Sequence, residues 1–206
     1  MLTCTCDHKA TDCKLIALTG GPGAGKTAIL QMARQIFCRH VVILPEAATI
    51  VYGGGFLRRD TVPSQKACQR AIFNVQRAHE IMVQEEHAYT MALCDRGTID
   101  GSAYWPVLEP DFFADMGTTR EKELAHYHAV IHLRTPPEDH GYNLDNPTRT
   151  EDPQFAAVID KRVEQAWEGH PRRFFVESTP EFLEKATRTL ELIKKELPAC
   201  CRAQTH

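Results

Sequence analysis

The sequence has no long hydrophobic run and no excess of basic residues. No apolar stretch approaches the roughly 20 residues that a membrane-spanning helix needs, so we expect no membrane span. Asp and Glu number 27 against 24 Lys and Arg, which gives a formal net charge of −3. Because nucleic-acid-binding surfaces are strongly basic, this balance argues against a nucleic-acid partner. Internal repeats and low-complexity tracts are also missing from the sequence.

The first 14 residues lack the apolar core of a secretory signal peptide. The cysteines also lack the spacing of a zinc site. We therefore expect a cytoplasmic protein whose thiols are reduced. Of the eight cysteines, Cys4, Cys6 and Cys13 precede the first apolar run, and Cys200 and Cys201 lie near the end. A single residue separates Cys4 from Cys6, where zinc sites use Cys-x2-Cys. The spacing favours free thiols in frayed termini over a zinc site.

Short apolar runs alternate with segments of helical spacing. The predicted strands are residues 14–19, 41–44, 91–94, 129–133 and 173–176. The predicted helices are residues 28–38, 64–88, 98–105, 118–127, 153–167 and 180–197. Such alternation indicates a three-layer α/β fold in which helices cover both faces of a five-stranded parallel sheet. We expect a single domain over residues 14–197, a flexible N-terminal segment over residues 1–13 and a C-terminal tail over residues 198–206.

Residues 134–152 form the least regular segment and are rich in proline and charge. The segment is too long for an ordinary connection and too short for a domain linker, so we predict a lid. Arg134 and Arg149 bracket it. A lid arginine can neutralise charge that develops during phosphoryl transfer. The alternative is a solvated loop whose surface ion pairs contribute little.

A phosphate-binding loop is the strongest signal in the sequence. Residues 20–27 match the pattern G-x-x-x-x-G-K-[ST] in full: Gly20, Gly21, Pro22, Gly23, Ala24, Gly25, Lys26 and Thr27. Glycines let successive N–H groups point at one anion, and the following helix adds its positive end. Lys26 would reach the β- and γ-phosphates, and the Thr27 hydroxyl would bind Mg²⁺. The alternative, a glycine-rich turn with an exposed lysine, does not explain the strand before it and the helix after it.

Asp95 ends the third predicted strand, where a P-loop fold places a carboxylate that coordinates Mg²⁺. We therefore predict that Thr27 and Asp95 hold the metal, and that Arg96 contacts phosphate. The alternative is a turn after which Thr98 or Asp100 caps a helix, and the two interpretations are compatible.

Glu46 follows the second predicted strand and should lie at the same sheet edge as the P-loop. A carboxylate there can accept a proton from an attacking hydroxyl. The alternative is a glutamate at a helix start, beside the positive end of the helix dipole.

Several segments together resemble a known family. They are ALTGGPGAGKT (17–27), LPEAA (44–48), CDRGTIDGSAYW (94–105), GYNLDNPTRTED (141–152) and WEGHPR (167–172). They resemble the P-loop family that joins the NadR ribosylnicotinamide kinase domain with the TRPL translocation defect protein, often labelled an AAA-type domain of predicted ATPases. The resemblance covers residues 14 to about 197, and the third and fourth segments are its most specific parts.

The resemblance implies a nucleoside-kinase-like fold with parallel strand order 2-3-1-4-5. By position, residues 20–27 bind phosphates, Asp95 and Arg96 form the acidic-arginine pair that ends the third strand, Glu46 is the catalytic carboxylate and Arg149 is a lid arginine. Nucleoside kinases commonly carry Glu-Arg-Ser where this chain has Asp-Arg-Gly. This departure leaves the phosphoryl acceptor unidentified.

Two functions are consistent with these features. The first is a small-molecule kinase that uses Mg²⁺ and ATP. In that enzyme Glu46 or Asp95 orients the acceptor hydroxyl, and Lys26, Arg96 and Arg149 stabilise the transferring charge. The second is a regulatory switch that hydrolyses ATP or GTP slowly and acts through a protein or lipid partner. The base-reading motif Asn-Lys-x-Asp does not occur, which favours ATP over GTP. Nothing in the sequence indicates the oligomeric state.

Overall fold

The computed structural model describes residues 12–107, 111–135, 153–179 and 181–202. Its strands are β1 (Lys14–Thr19), β2 (Val41–Leu44), β3 (Met91–Asp95), β4 (Ala129–Leu133) and β5 (Arg173–Val176). Its α-helices are α1 (Lys26–Ile36), α2 (Ala47–Gly53), α3 (Val62–Glu85), α4 (Phe112–Asp115), α5 (Arg120–His126), α6 (Pro153–Ala166), α7 (Phe182–Glu196) and α8 (Ala199–Arg202). A 3-10 helix spans Thr98–Tyr104.

The five strands form one parallel sheet in the order β2-β3-β1-β4-β5. Strand β1 is central, and its Ile16 lies opposite Leu93 of β3 on one side and Ala129 of β4 on the other. The predicted fold class and strand order are confirmed. Parallel strands need crossover helices, and this order places the ends of β1 and β3 side by side at the carboxyl edge.

Each face of the sheet carries its own hydrophobic core. Ile16 and Leu18 point to the face covered by α1 and α7. Leu15 and Ala17 point to the opposite face, covered by α3, α6 and the 3-10 helix. This alternation follows from the two-residue period of a strand. Because helices cover both faces, every residue of β3 and β4 is buried, and apart from Asp95 and His132 the two strands are apolar rather than alternating.

The structure differs from the sequence prediction at several helix ends. Helices α2, α4 and α8 were not predicted, and two of them are single turns too short to show a period. Helix α3 begins at Val62 with Thr61 as its N-cap residue. Ser64, where the predicted helix begins, lies inside α3, and its hydroxyl accepts from the backbone N–H of Arg59 at 3.1 Å.

The residues around the predicted termini pack against the core where the structure describes them. Cys13 is 9% exposed, and Cys201, on α8 within the predicted tail, is completely buried. The sequence pattern predicts frayed ends, whereas these two cysteines are buried, and Cys201 packs into the core on the α1 and α7 face of the sheet. In the described part of the chain, no helix has the length and apolar character needed to cross a membrane.

Candidate phosphate-binding and transfer site

The P-loop joins β1 to α1 at the carboxyl edge of the sheet. Gly25 is the N-cap residue of α1 and has a φ of 88°, in the left-handed region. Gly20 has a φ of 130°, and a Cβ there would lie 2.1 Å from the carbonyl oxygen of Leu133. Both positions therefore require glycine. The loop ends on the N-terminus of α1, whose unpaired N–H groups and dipole favour a phosphate.

Side chains from two distant helices fix the loop. Asp160 on α6 accepts a hydrogen bond from the backbone N–H of Gly21 at 2.6 Å. Lys185 on α7 donates to the carbonyl oxygens of Ala24 at 2.9 Å and Arg134 at 2.5 Å. Neither Asp160 nor Lys185 belongs to a local motif, so the sequence gives no sign of their role. Only the packing of α6 and α7 brings them to the loop.

Lys26 is buried beneath the loop, with 6% of its surface exposed. Its ammonium group donates to the carbonyl oxygens of Gly20 at 3.0 Å and Gly21 at 2.9 Å. Burial, with a contribution from Arg96, lowers the pKa of Lys26 from its usual 10.5 to about 8, against the opposing effect of nearby carboxylates. The lysine is thus charged at neutral pH, and its charge becomes sensitive to mildly alkaline conditions.

The predicted metal ligands lie together. The Thr27 hydroxyl donates to Asp95 Oδ2 at 2.9 Å. Asp95 is 4% exposed, and its Oδ1 has no hydrogen-bond partner among the described residues. Burial raises the pKa of Asp95, and Glu46 adds to the effect while Lys26 opposes it. A buried carboxylate oxygen without a partner, beside a hydroxyl, fits the all-oxygen coordination that Mg²⁺ prefers.

Arg96 bridges the P-loop and Glu46. Its Nε donates to Glu46 Oε1 at 2.7 Å, and its guanidinium group also donates to the carbonyl oxygen of Gly20 at 3.0 Å. The backbone of Arg96 has a φ of 74°, which is uncommon for a residue with a side chain. The predicted arginine and carboxylate therefore meet beside the P-loop.

Glu46 is held as an anion. Its Oε2 accepts from the Thr49 hydroxyl at 2.7 Å. Burial would raise the pKa of Glu46, but Arg96, the Thr49 hydroxyl and Lys26 outweigh it and lower the pKa to about 2. Glu46 is also the N-cap residue of α2, although its side chain makes no capping bond. Glu46 therefore stands at a helix start, as the alternative interpretation expects, and its catalytic role stays a prediction.

Asp100 organises the buried side of the site, although the sequence pattern indicates for it only the role of a helix cap. It accepts from the Thr19 hydroxyl at 2.8 and 2.7 Å, from Trp167 Nε1 at 2.6 Å and from Arg96 at 3.3 Å. It caps no helix, since the 3-10 helix has Gly97 at its N-cap position without a side-chain bond. The available signal was a second aspartate five residues after Asp95, on the same strand-to-helix turn.

The predicted lid lies mostly outside the described residues, and so does Arg149. Arg134, at its start, makes two hydrogen bonds to Glu164 of α6, at 2.5 and 2.9 Å, and its guanidinium group lies 4.7 Å from the centre of the Phe175 ring. This arginine is therefore engaged with α6 and β5. The role of Arg149 as a lid arginine stays a prediction.

The pKa of Lys26 leads to a testable pH dependence. Bound phosphates favour the charged lysine, so above pH 8 the protein must take up a proton to bind nucleotide. We expect the affinity for ATP to fall between pH 8 and 10, by at most about tenfold per pH unit. Titration with a fluorescent ATP analogue measures this fall. The Lys26→Met variant should bind more weakly and with a flatter profile, and an identical slope in both proteins would contradict the assignment.

Comparisons with known proteins agree with this geometry. A family model described as an AAA domain, AAA_28, matches residues 15–185. The chain belongs to the AAA_28 family. That match includes the P-loop, Glu46, Asp95 and Arg96, and it ends at Lys185. The AAA_28 chain is thus a P-loop nucleotide-binding protein.

The structure of the AAA_28 chain resembles that of thymidylate kinase from Ehrlichia chaffeensis, with a TM-score of 0.58 and 12% sequence identity. The similarity covers 88% of this chain and 99% of the thymidylate kinase chain. At this identity the comparison shows a kinase-like fold. No curated protein matches the AAA_28 chain significantly in sequence.

Proposed function

We propose that this AAA_28 protein is a small-molecule kinase that transfers the γ-phosphoryl group of ATP to a nucleoside-like hydroxyl. The observation that supports it best is the position of Glu46. A carboxylate that is paired with Arg96 and lies beside the P-loop suits an enzyme that must orient an acceptor. A protein that only hydrolyses nucleotide slowly has no need of a second carboxylate at this position.

The phosphate end of the site supports the proposal through four side chains. Lys26 lies against the loop carbonyl oxygens, within reach of the phosphates that the loop would hold. Arg96 places a second positively charged side chain beside the carbonyl oxygen of Gly20. Thr27 and Asp95 would hold Mg²⁺, which supplies positive charge to the β- and γ-phosphate oxygens. These groups stabilise negative charge, which is most of what catalysis of phosphoryl transfer requires.

The acceptor end depends on Glu46. About 28% of its side chain is exposed, so a bound hydroxyl can reach it. A carboxylate with a pKa of about 2 is a weak base, so Glu46 serves mainly to accept a hydrogen bond and align the hydroxyl. Asp95, with its raised pKa, is the alternative orienting group. Arg149 would add charge from the lid.

The resemblance to the family of the NadR kinase domain and the TRPL protein suggests the first acceptors to test. A turnover assay with Mg²⁺ and ATP should show ADP release that rises at least tenfold with one member of a panel of nucleosides and nicotinamide riboside. Identically purified Lys26→Met protein controls for contaminating kinases. The opposite result would be tight binding of ATP or GTP together with slow release of the nucleoside diphosphate at a rate that no acceptor changes. That result would support the regulatory switch and overturn the proposed kinase.

A further inference from the structure

A second cluster of reactive side chains lies away from the P-loop. It consists of Cys38, His40 and Cys201, which we term the Cys-His-Cys cluster. The three are 2%, 6% and 0% exposed, respectively. Their sulfur and nitrogen atoms all lie within 4.8 Å of one another. Residues that are distant in sequence thus place three potential metal ligands at one point.

The distances within the cluster resemble the edges of a zinc tetrahedron. His40 Nδ1 lies 3.8 Å from Cys38 Sγ and 3.7 Å from Cys201 Sγ. Zinc bonds of about 2.3 Å to sulfur and 2.0 Å to nitrogen at tetrahedral angles give a sulfur–nitrogen edge of about 3.5 Å. One cation between the three atoms can be coordinated by all of them, in three of the four tetrahedral positions. We propose that the Cys-His-Cys cluster binds one Zn²⁺ ion.

The surroundings suit a metal rather than free thiolates. Cys38 and Cys201 belong to the hydrophobic core on the α1 and α7 face of the sheet. Two thiolates, a neutral imidazole and Zn²⁺ carry no net charge, so the complex can be buried without an uncompensated ion. The carbonyl oxygen of His40 accepts from the backbone N–H groups of Thr90 at 2.9 Å and Met91 at 3.3 Å. These bonds fix the backbone that carries the ring.

The position of the cluster assigns it a structural role. Cys38 follows α1, and His40 immediately precedes β2, at the amino edge of the sheet. The P-loop lies at the opposite, carboxyl edge, so the ion would be separate from the proposed Mg²⁺ site. Cys201 lies on α8. A zinc ion would therefore tie α8 to the α1–β2 connection and stabilise the folded chain.

Cobalt substitution tests the proposal. Reduced, chelator-treated protein should bind one equivalent of Co²⁺ and develop thiolate-to-cobalt charge-transfer absorption together with the visible bands of tetrahedral cobalt. Zinc should displace the cobalt and abolish these bands. The oxygen ligands of the P-loop site produce no thiolate band, so the two metal sites are distinguishable. Zinc at about a hundred times its dissociation constant should raise the Tm by about 5–10 °C.

Variants assign the signal to this cluster. Cys38→Ser and Cys201→Ser should each remove the charge-transfer band, whereas Cys13→Ala, which alters a buried cysteine outside the cluster, should retain it. The ligands can also be identified in the wild-type protein, without any variant, by alkylation of its thiols followed by peptide mass spectrometry. Zinc should slow the modification of Cys38 and Cys201 at least tenfold and leave Cys68 unchanged. No thiolate band in the wild-type protein, or a band that persists in Cys38→Ser, would overturn the proposal.

Discussion

Replacing Glu46 with glutamine should reduce phosphoryl transfer by about 10²-fold while leaving nucleotide affinity nearly unchanged. The amide keeps the shape of the side chain and one oxygen for Arg96. It loses the negative charge that attracts and aligns the acceptor hydroxyl. The hydrogen bonds of Glu46 among the described residues go to Arg96 and Thr49 rather than to residues 20–27, so the phosphate-binding loop should keep its conformation.

The measurement separates binding from transfer. Titration with a fluorescent ATP analogue gives the nucleotide dissociation constant, and acceptor-dependent ADP release gives kcat and KM. Thr49→Val is the matched control, because it removes the hydroxyl bonded to Glu46 and leaves the Arg96 ion pair intact. We expect this control to lose less than about tenfold in kcat. Full turnover in Glu46→Gln would show that another group, with Asp95 as the first candidate, orients the acceptor.

Replacing Asp100 with alanine should lower the free energy of unfolding by about 3–5 kcal/mol. The carboxylate is 2% exposed, and the change leaves the Thr19 hydroxyl and the Trp167 N–H without their acceptor. Arg96 also loses one of its two carboxylate neighbours. Buried donors without acceptors cost more than the hydrogen bonds themselves contributed, which is why the expected effect is large.

Thermal and urea unfolding measure this loss, which corresponds to a fall in Tm of about 6–20 °C for a chain of this size. Asp100→Asn should lose less, because an amide oxygen still accepts from Thr19 or Trp167. Glu184→Gln is the surface control. Glu184 pairs with Arg188 at 2.6 Å, but both side chains are about half exposed, so its unfolding free energy should change by less than about 0.5 kcal/mol. A loss of similar size in the Glu184 and Asp100 variants would contradict the buried network.

The fold was predictable because its signals are local. The strands KLIALT, VVIL, MALCD, AVIHL and RFFV are short apolar runs between polar segments, and long helices such as α3 and α7 show their period over several turns. Single-turn helices carry no period, so α4 and α8 were missed. The strand order itself came from the family resemblance, since alternating strands and helices do not determine which strands are neighbours.

The residues of the site also fall into those that local patterns reveal and those that only packing brings together. By itself, the sequence indicated the P-loop from Gly20 to Thr27, the strand-end carboxylate Asp95 and the neighbouring Arg96, because each is a local pattern: a run of eight consecutive residues in the first case, and a charged pair directly after an apolar run in the second. Tertiary structure alone decided the contacts between distant segments. The chain brings Asp160 and Lys185 to the loop, Trp167 to Asp100, and Cys201 to His40 only when its helices pack on the sheet. The two residues of each pair are separated by tens of residues or more in the chain. A local sequence pattern therefore cannot show that packing brings them into contact.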